Sequence, residues 1–451
     1  MYKVYNIKFI NHASVVISNE DCSLMSDPWY SDQVFHKGWR LLHENSPEDI
    51  LIQLTQIQYI WISHEHPDHF SVGFFMKYLK EIQTKGIIIL FQKTSDQRVV
   101  NFLKSKGFKV KEIETNQEIT LSKNFTIKCI KHGFYDSLLI CTVNNNKIVN
   151  LNDCDIKSDK DFARIKKNIG ECDVLLSQFS YAAWKGGESN ITWRRDAAKD
   201  KLNTLLLQSK TLKAKFTIPF ASYIYFSNSK NRYLNDSANR PSSILEYFEN
   251  NKSQTKLVVM KPYDIFTGHY IEDNVTKAVS YWEHLFLNTD KLEQDTYEVI
   301  DAAILNESFN KYIKRIEKNN SLKTMKLLRT LSPIKIFPLI RIYLTDLNES
   351  YEIDIVNQTF HKQKSQQSDI ALSSEQLNFI FLNTFGFDTL TVNGCFEESS
   401  KNGFSRVAKT LSIENLNNIG LSVSYKLLFK LNIIFLFFSR LFSVERKIKN
   451  S

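Results

Sequence analysis

Several things are missing from this 451-residue chain, and each absence excludes something. No run approaches the roughly 18 apolar residues of a membrane span. The most apolar stretch, 427–438, is interrupted by Lys430 and Asn432. It is expected to form a packed helix. The alternative is an interfacial membrane helix flanked by Arg440, Arg446, Lys447 and Lys449. The six cysteines lie at 22, 129, 141, 154, 172 and 395, and none forms C-x-x-C or C-x-H. That pattern excludes a zinc ribbon, a thioredoxin motif and a Rieske cluster in this chain, and it suits a reducing cytoplasm. No apolar h-region follows Met1, so no secretory signal is read. The net charge of +9 is scattered rather than blocked. A solvated lysine-rich surface explains it, and no nucleic-acid partner is expected.

Histidine is also scarce, at ten residues, yet three of them fall within His64-Glu65-His66-Pro67-Asp68-His69. Imidazole nitrogen and carboxylate oxygen together form the ligand set of a zinc, iron or manganese site. The lead-in Gln58–Ser63 reads as a buried strand. Residues two apart in an extended segment point the same way, so His64 and His66 can converge on one ion. Pro67 breaks the extension. Asp68 and His69 then point to an adjacent position, so one loop can serve two metals.

Along the chain, strands are expected at 5–9, 14–17, 22–26, 58–63, 86–91, 108–113, 118–121, 125–131, 138–143, 147–152, 173–177, 214–220 and 256–261. Helices are expected at 70–82 and 97–106, and an irregular loop at 30–50. Polar residues fit for chemistry fall just past strand ends: Asp27, His64, His132, Asp153, Ser222–Asn228 and Asp264. Many short strands with interspersed helices point to a two-sheet sandwich whose rim loops gather these groups. The expected division is a sandwich domain at 1–285, a helical connector at 286–334, a small α+β unit at 335–410 and an apolar, basic tail at 411–451.

His64–His69 matches H-x-H-x-D-H, the signature of the metallo-β-lactamase superfamily, and the chain resembles that family. Asn11-His12-Ala13-Ser14, Ser26-Asp27-Pro28-Trp29, Pro219–Tyr223, Asn235-Asp236 and Gly386–Gly394 narrow the resemblance. They are similar to the branch that holds the metallo-β-lactamase-like part of CMP-N-acetylneuraminate hydroxylase. The resemblance implies an αββα sandwich with a metal centre of one or two divalent ions, zinc preferred, and a sterol-carrier-like C-terminal unit. It implies that His64, His66 and His132 hold the first metal, that Asp68 and His69 hold the second, and that Asp153 bridges them. The superfamily's last histidine ligand has no clear match; Asn228 and His269 are the candidates for its place, and Asp264 is a further late candidate. His12 and Asp27 are candidates for orienting a ligand from behind. His36, His43, His284 and His361 are read as incidental.

The functional expectation is metal-dependent hydrolysis of an ester, amide, lactone or phosphodiester. A bound ion lowers the pKa of its water from 15.7 to about 7, and Asp68 orients the nucleophile or relays its proton. The substrate is expected to be a small molecule, with a sugar or nucleotide-sugar suggested by the loop Trp184–Gly187 and Trp193-Arg194-Arg195. Two alternatives stand beside this reading. One is a nucleotide-sugar hydroxylase module working with a separate Rieske partner. The other is a metal-binding scaffold without turnover. The expected location is the cytoplasm, with peripheral membrane contact through the tail as the alternative.

Overall fold

Residues 5–332 and 335–425 are described by a computed structural model. The apolar stretch 427–438 and its basic flank lie outside the described residues. The strands of the first half are β1 (Asn6–Asn11), β2 (Ser14–Ser18), β3 (Ser23–Ser26), β4 (Trp39–Leu41), β5 (Tyr59–Ile62), β6 (Ile88–Gln92) and β7 (Lys109–Ile113). There follow β8 (Glu118–Ser122), β9 (Phe125–Lys131), β10 (Ser137–Val143), β11 (Asn146–Asn152), β12 (Val174–Gln178), β13 (Phe216–Phe220), β14 (Ile224–Phe226), β15 (Lys256–Leu257) and β16 (Ile265–Phe266). They form two seven-stranded sheets, ordered β16-β1-β2-β3-β5-β6-β7 and β15-β13-β12-β11-β10-β9-β8, while β4 pairs with β14.

Period-2 alternation builds the layers. On β5, Trp61 joins the core between the sheets, with Phe9, Leu24, Leu90, Ile127 and Leu176. Its neighbours Ile60 and Ile62 face the other way, onto helix residues Ile50, Phe75, Ile82 and Val100. On β12, Val174 and Leu176 point inward, while Leu175 meets Ile165 and Ile169 of the helix Asp159–Ile169. Helices therefore cover both outer faces, and the architecture is the αββα sandwich.

Three expectations about elements change. The helix expected at 70–82 is two helices, Val72–Lys77 and Leu79–Lys85, broken at Tyr78. The expected loop at 30–50 contains β4 and the start of the helix Pro47–Gln56, which Ser46 caps by accepting from Asp49 N. Trp193-Arg194-Arg195 lies not on a loop but in the 21-residue helix Ile191–Thr211.

The division of the chain also changes. Glu272–Leu287 belongs to the sandwich, because Val275, Ala278, Trp282 and Phe286 lie in its central core. Residues 286–334 are not a separate connector and 411 does not begin a tail. Leu305, Phe309, Tyr312, Ile316 and Met325 share one core with Ile342, Ile353, Leu377, Phe381, Leu411, Ile413 and Val423. That single core holds a five-stranded sheet, ordered β19-β18-β17-β20-β21, where β17 is Ile340–Leu344, β18 Glu349–Asp354, β19 Thr359–Gln363, β20 Ile370–Leu372 and β21 Glu397–Glu398. Trp184, sent out from the sandwich, plugs into it at 4.6 Å from Phe396 and 4.9 Å from Phe404. Among the described residues, no helix is long and apolar enough to cross a membrane.

Candidate metal centre

β5 ends at Ile62, and the chain then passes through Ser63 into the histidine loop. Asp27, just past the end of β3, holds that exit. Its buried carboxylate accepts from Ser63 N and Ser63 Oγ, both at 2.7 Å, from His69 Nδ1 at 3.0 Å and from Asn152 Nδ2. Four donors on one carboxylate form a strong network that fixes the loop's exit. Asp27 and His12 both carry a positive φ of 33°, which costs a residue with a side chain of order 1–3 kcal/mol. The strain is kept where these two side chains turn into the site.

The partners determine which ring nitrogens face inward. Ser63 Oγ gives its proton to Asp27, so it accepts from His64 Nδ1 at 2.9 Å and leaves His64 Nε2 with a lone pair. His69 turns its Nδ1 to Asp27 and its Nε2 to Asp68 and Asp153, and against the effect of burial these carboxylates raise its pKa. His66 has Nε2 3.7 Å from Asp388 Oδ2, so its Nδ1 turns inward. His64 Nε2 and His66 Nδ1 lie 2.9 Å apart. That is hydrogen-bond distance: against the effect of burial, the carboxylates around His66, Asp388 foremost, raise its pKa to about 9, so its Nδ1 can donate to His64 Nε2. His69 Nε2 lies 3.2 Å from Asp68 Oδ2 and 3.5 Å from Asp153 Oδ2, and His12 Nε2 lies 3.4 Å from Asp68 Oδ2. Ligand atoms about 2.1 Å from a tetrahedral ion are themselves about 3.4 Å apart. The separations fit that geometry.

Two groups can each hold an ion: His12, Asp68 and His69, and His64, His69 and Asp153. Several inward atoms are buried and lack a hydrogen-bond partner, namely Asp68 Oδ1, His69 Nε2 and Asp153 Oδ1. Buried polar atoms are ordinarily paired, so this cluster of orphans is what a metal site presents without its ion. The charge balance agrees. Burial opposes ionisation of Asp68, but His69 and His12 override it and hold the carboxyl well below its ordinary range. Burial and the neighbouring His69 and His66 hold His64 well below the usual histidine range, so its lone pair is available.

The structure thus gathers His12, Asp27, His64, His66, Asp68, His69 and Asp153. It leaves four candidates outside. His132 turns its Nδ1 to the Arg164 guanidinium, and burial and that cation lower its pKa. Asn228 is buried in a scaffold role, donating to Lys37 O and accepting from Lys230 N. Asp264 accepts from Lys261 N in its own turn, and His269 is exposed before the helix Glu272–Leu287. Arg194 is fully committed to Asp236, Gly187 O and Glu188 O, so it holds the fold rather than a phosphate.

Two carboxylates at the site were not candidates from the sequence. Asp136 Oδ1 is 4.0 Å from His64 Nε2, and burial, with Asp153 adding to it, pushes its pKa up to about 6. Its only sequence signal is its place four residues after His132. Asp388 comes from the C-terminal unit, within a stretch whose resemblance to the branch is legible but whose contact with His66 is not.

A trough runs along the boundary of the two units. One cavity of about 370 Å³ is lined by aromatic groups including Tyr135, Trp193, Phe387 and Phe404, and it reaches Asp388. A second, of about 450 Å³, takes in Asp153, Asp155, Lys157, Gln178 and Lys201. Ala183, Lys185 and Trp193 line both.

No family model matches the chain. It is 25% identical over 258 residues to the cytidine monophosphate-N-acetylneuraminic acid hydroxylase of Danio rerio, covering 53% of this chain and 42% of that protein. It is 23% identical over 326 residues to the inactive form of Homo sapiens (67% and 63%) and 27% identical over 248 residues to the hydroxylase of Xenopus laevis (51% and 40%). The chain spans about half the length of the curated relatives it matches. Among solved structures, it is similar to CmlA, a diiron β-hydroxylase from Streptomyces venezuelae, at TM-score 0.41 and 11% identity, covering 59% of this chain and 55% of that one. It is likewise similar to Igni18, a metallo hydrolase from Ignicoccus hospitalis, at TM-score 0.40 and 14% identity, covering 59% and 100%. With the H-x-H-x-D-H loop seated at the edge of an αββα sandwich, the chain resembles the metallo-β-lactamase superfamily and is similar in sequence to the CMP-N-acetylneuraminic acid hydroxylases.

Proposed function

We propose that the chain is a metal-dependent hydrolase of a small molecule bound in the trough between its two units. The observation that carries this reading is the convergence of His12, His64, Asp68, His69 and Asp153, with His66 beside His64 and with Asp68 Oδ1 and Asp153 Oδ1 buried and unpartnered. Histidine and carboxylate donors without a thiolate suit zinc, manganese or iron. When bound, such an ion supplies Lewis acidity and lowers the pKa of water from 15.7 to about 7.

The remaining work falls to the chain's own groups. Asp68 stays ionised and fixed between His12 and His69, with Oδ1 left to orient an attacking water or accept its proton. Burial of the surrounding side chains strengthens each of these interactions. At the polar end of the trough, Lys201 donates to Gln178 Oε1 at 2.8 Å and faces the side of Asp153. It suits an anionic group on the substrate. The aromatic end suits a sugar face or an acyl group.

A second reading is a hydroxylase-type module that works with a separate electron-transfer partner. It is supported by the identity to CMP-N-acetylneuraminic acid hydroxylases. Elemental analysis of wild type and His66→Ala tests what both readings share. Transition metal in the wild type and its loss in the variant are expected; metal in neither would overturn both. Turnover of ester, phosphodiester and nucleotide-sugar panels without added reductant favours hydrolysis. Oxygen consumption that depends on a ferredoxin-type partner favours the second.

A further inference from the structure

We propose that Asp388 is a positioning residue for the metal: the C-terminal unit supplies the carboxylate that orients the ligand His66, so the centre is complete only when the two units are docked. This inference rests on the metal-centre reading above.

The three histidines of the loop are not held alike. His64 and His69 are each fixed from behind by the sandwich itself, through Ser63 and Asp27. His66 is half-exposed, and the carboxylate facing its outward nitrogen comes from the other unit. Behind its ring stands Asp388 Oδ2, 3.7 Å from Nε2. A carboxylate on the outward nitrogen of a ligand histidine sets ring orientation and raises the basicity of the inward nitrogen.

The placement of Asp388 is built rather than incidental. Its helix, Gly386–Asn393, is pinned to the sandwich at three points. At the start, the Arg98 guanidinium lies 4.3 Å over the Phe385 ring. In the middle, Trp184 N donates to Thr391 O at 3.0 Å. At the end, Asn393 Nδ2 donates to Phe35 O at 3.1 Å, and Asn231 Nδ2 donates to Asn393 O at 2.7 Å. Gly38 lets this end approach: a Cβ there would sit 2.4 Å from Asn393 Cβ. A helix fixed at both ends and the middle holds its third residue in one place.

The test uses the full-length protein stripped of metal, with Zn²⁺ as the probe and a chromophoric chelator as competitor. Asp388→Asn keeps the shape and removes the charge; it is expected to weaken Zn²⁺ affinity about 10–100-fold while the melting of the metal-free protein is unchanged. Asp388→Glu restores the charge and is expected to recover most of the affinity, which a merely structural role would not produce. His66→Ala serves as the reference. Loss of Zn²⁺ in His66→Ala with wild-type affinity in Asp388→Asn overturns the proposal alone. Unchanged affinity in both overturns the metal-centre reading beneath it.

Discussion

The two sides of the metal centre are built differently. The inner side, with His12, Asp27, Asp68 and His69, is buried and comes wholly from the sandwich. The outer side, with His66, Asp136 and Asp388, is half-buried, and one of its members crosses from the other unit. Inner groups are held by hydrogen bonds of 2.7–3.0 Å around Asp27, so their geometry is part of the fold. Outer groups depend on how two cores dock. One side is preorganised by folding and the other by assembly.

The comparison breaks most severely at Asp27. Asp27→Ala strands the donors on Ser63, His69 and Asn152 in the interior, at about 1–3 kcal/mol for each unsatisfied group. A loss of roughly 3–6 kcal/mol is expected in chemical denaturation of the metal-free protein. If that stability is instead unchanged, as expected for Asp388→Asn, the inner side is no more a part of the fold than the outer.

Acid should reach the docking before it reaches the inner side. His36, on the sandwich, stacks on Phe379 at 4.0 Å and on Tyr297 at 5.1 Å. Burial, despite the opposing charge of Glu375, lowers its pKa to about 4. An unfolded histidine takes up its proton near 6.5, so between those values the unfolded chain binds more protons. Stability is therefore full above about pH 6.5 and falls as the pH drops toward 4, by at most about 3 kcal/mol at about 1.36 kcal/mol per unit. His36→Phe should flatten that part of the stability profile. A wild-type profile already flat between pH 7 and 5 would remove His36 from the account.

The smallest effect is expected at His132. Its ring is engaged with Arg164, so His132→Ala should cost about 1 kcal/mol of stability and leave metal content unchanged. Metal loss in this variant would move His132 to the outer side and show that its loop turns inward on loading.

Much of this was legible in the residues. The histidine loop, the strands that precede it and the positions of Asp27 and Asp153 past strand ends follow from period-2 patterning and from residue chemistry, both of which are local. The helix Ile191–Thr211 was not, because it carries apolar and polar residues on all faces: Arg194 and Gln208 are buried and Leu207 is exposed. The extent of the C-terminal unit was not legible either, since its core joins Leu305 to Val423 across segments that each look like an isolated helix or strand. His36, incidental by sequence, is buried at the docking surface; His132, plausible by motif, faces a cation instead.

The sequence by itself determined the chemistry available, a dense set of imidazole and carboxylate donors on one loop with thiolates kept away from it. Only the tertiary structure decided which donors meet. Asp388 lies 322 positions from His66 along the chain yet 3.7 Å from it in space. No periodicity encodes that contact, because it arises from the docking of two separately folded cores.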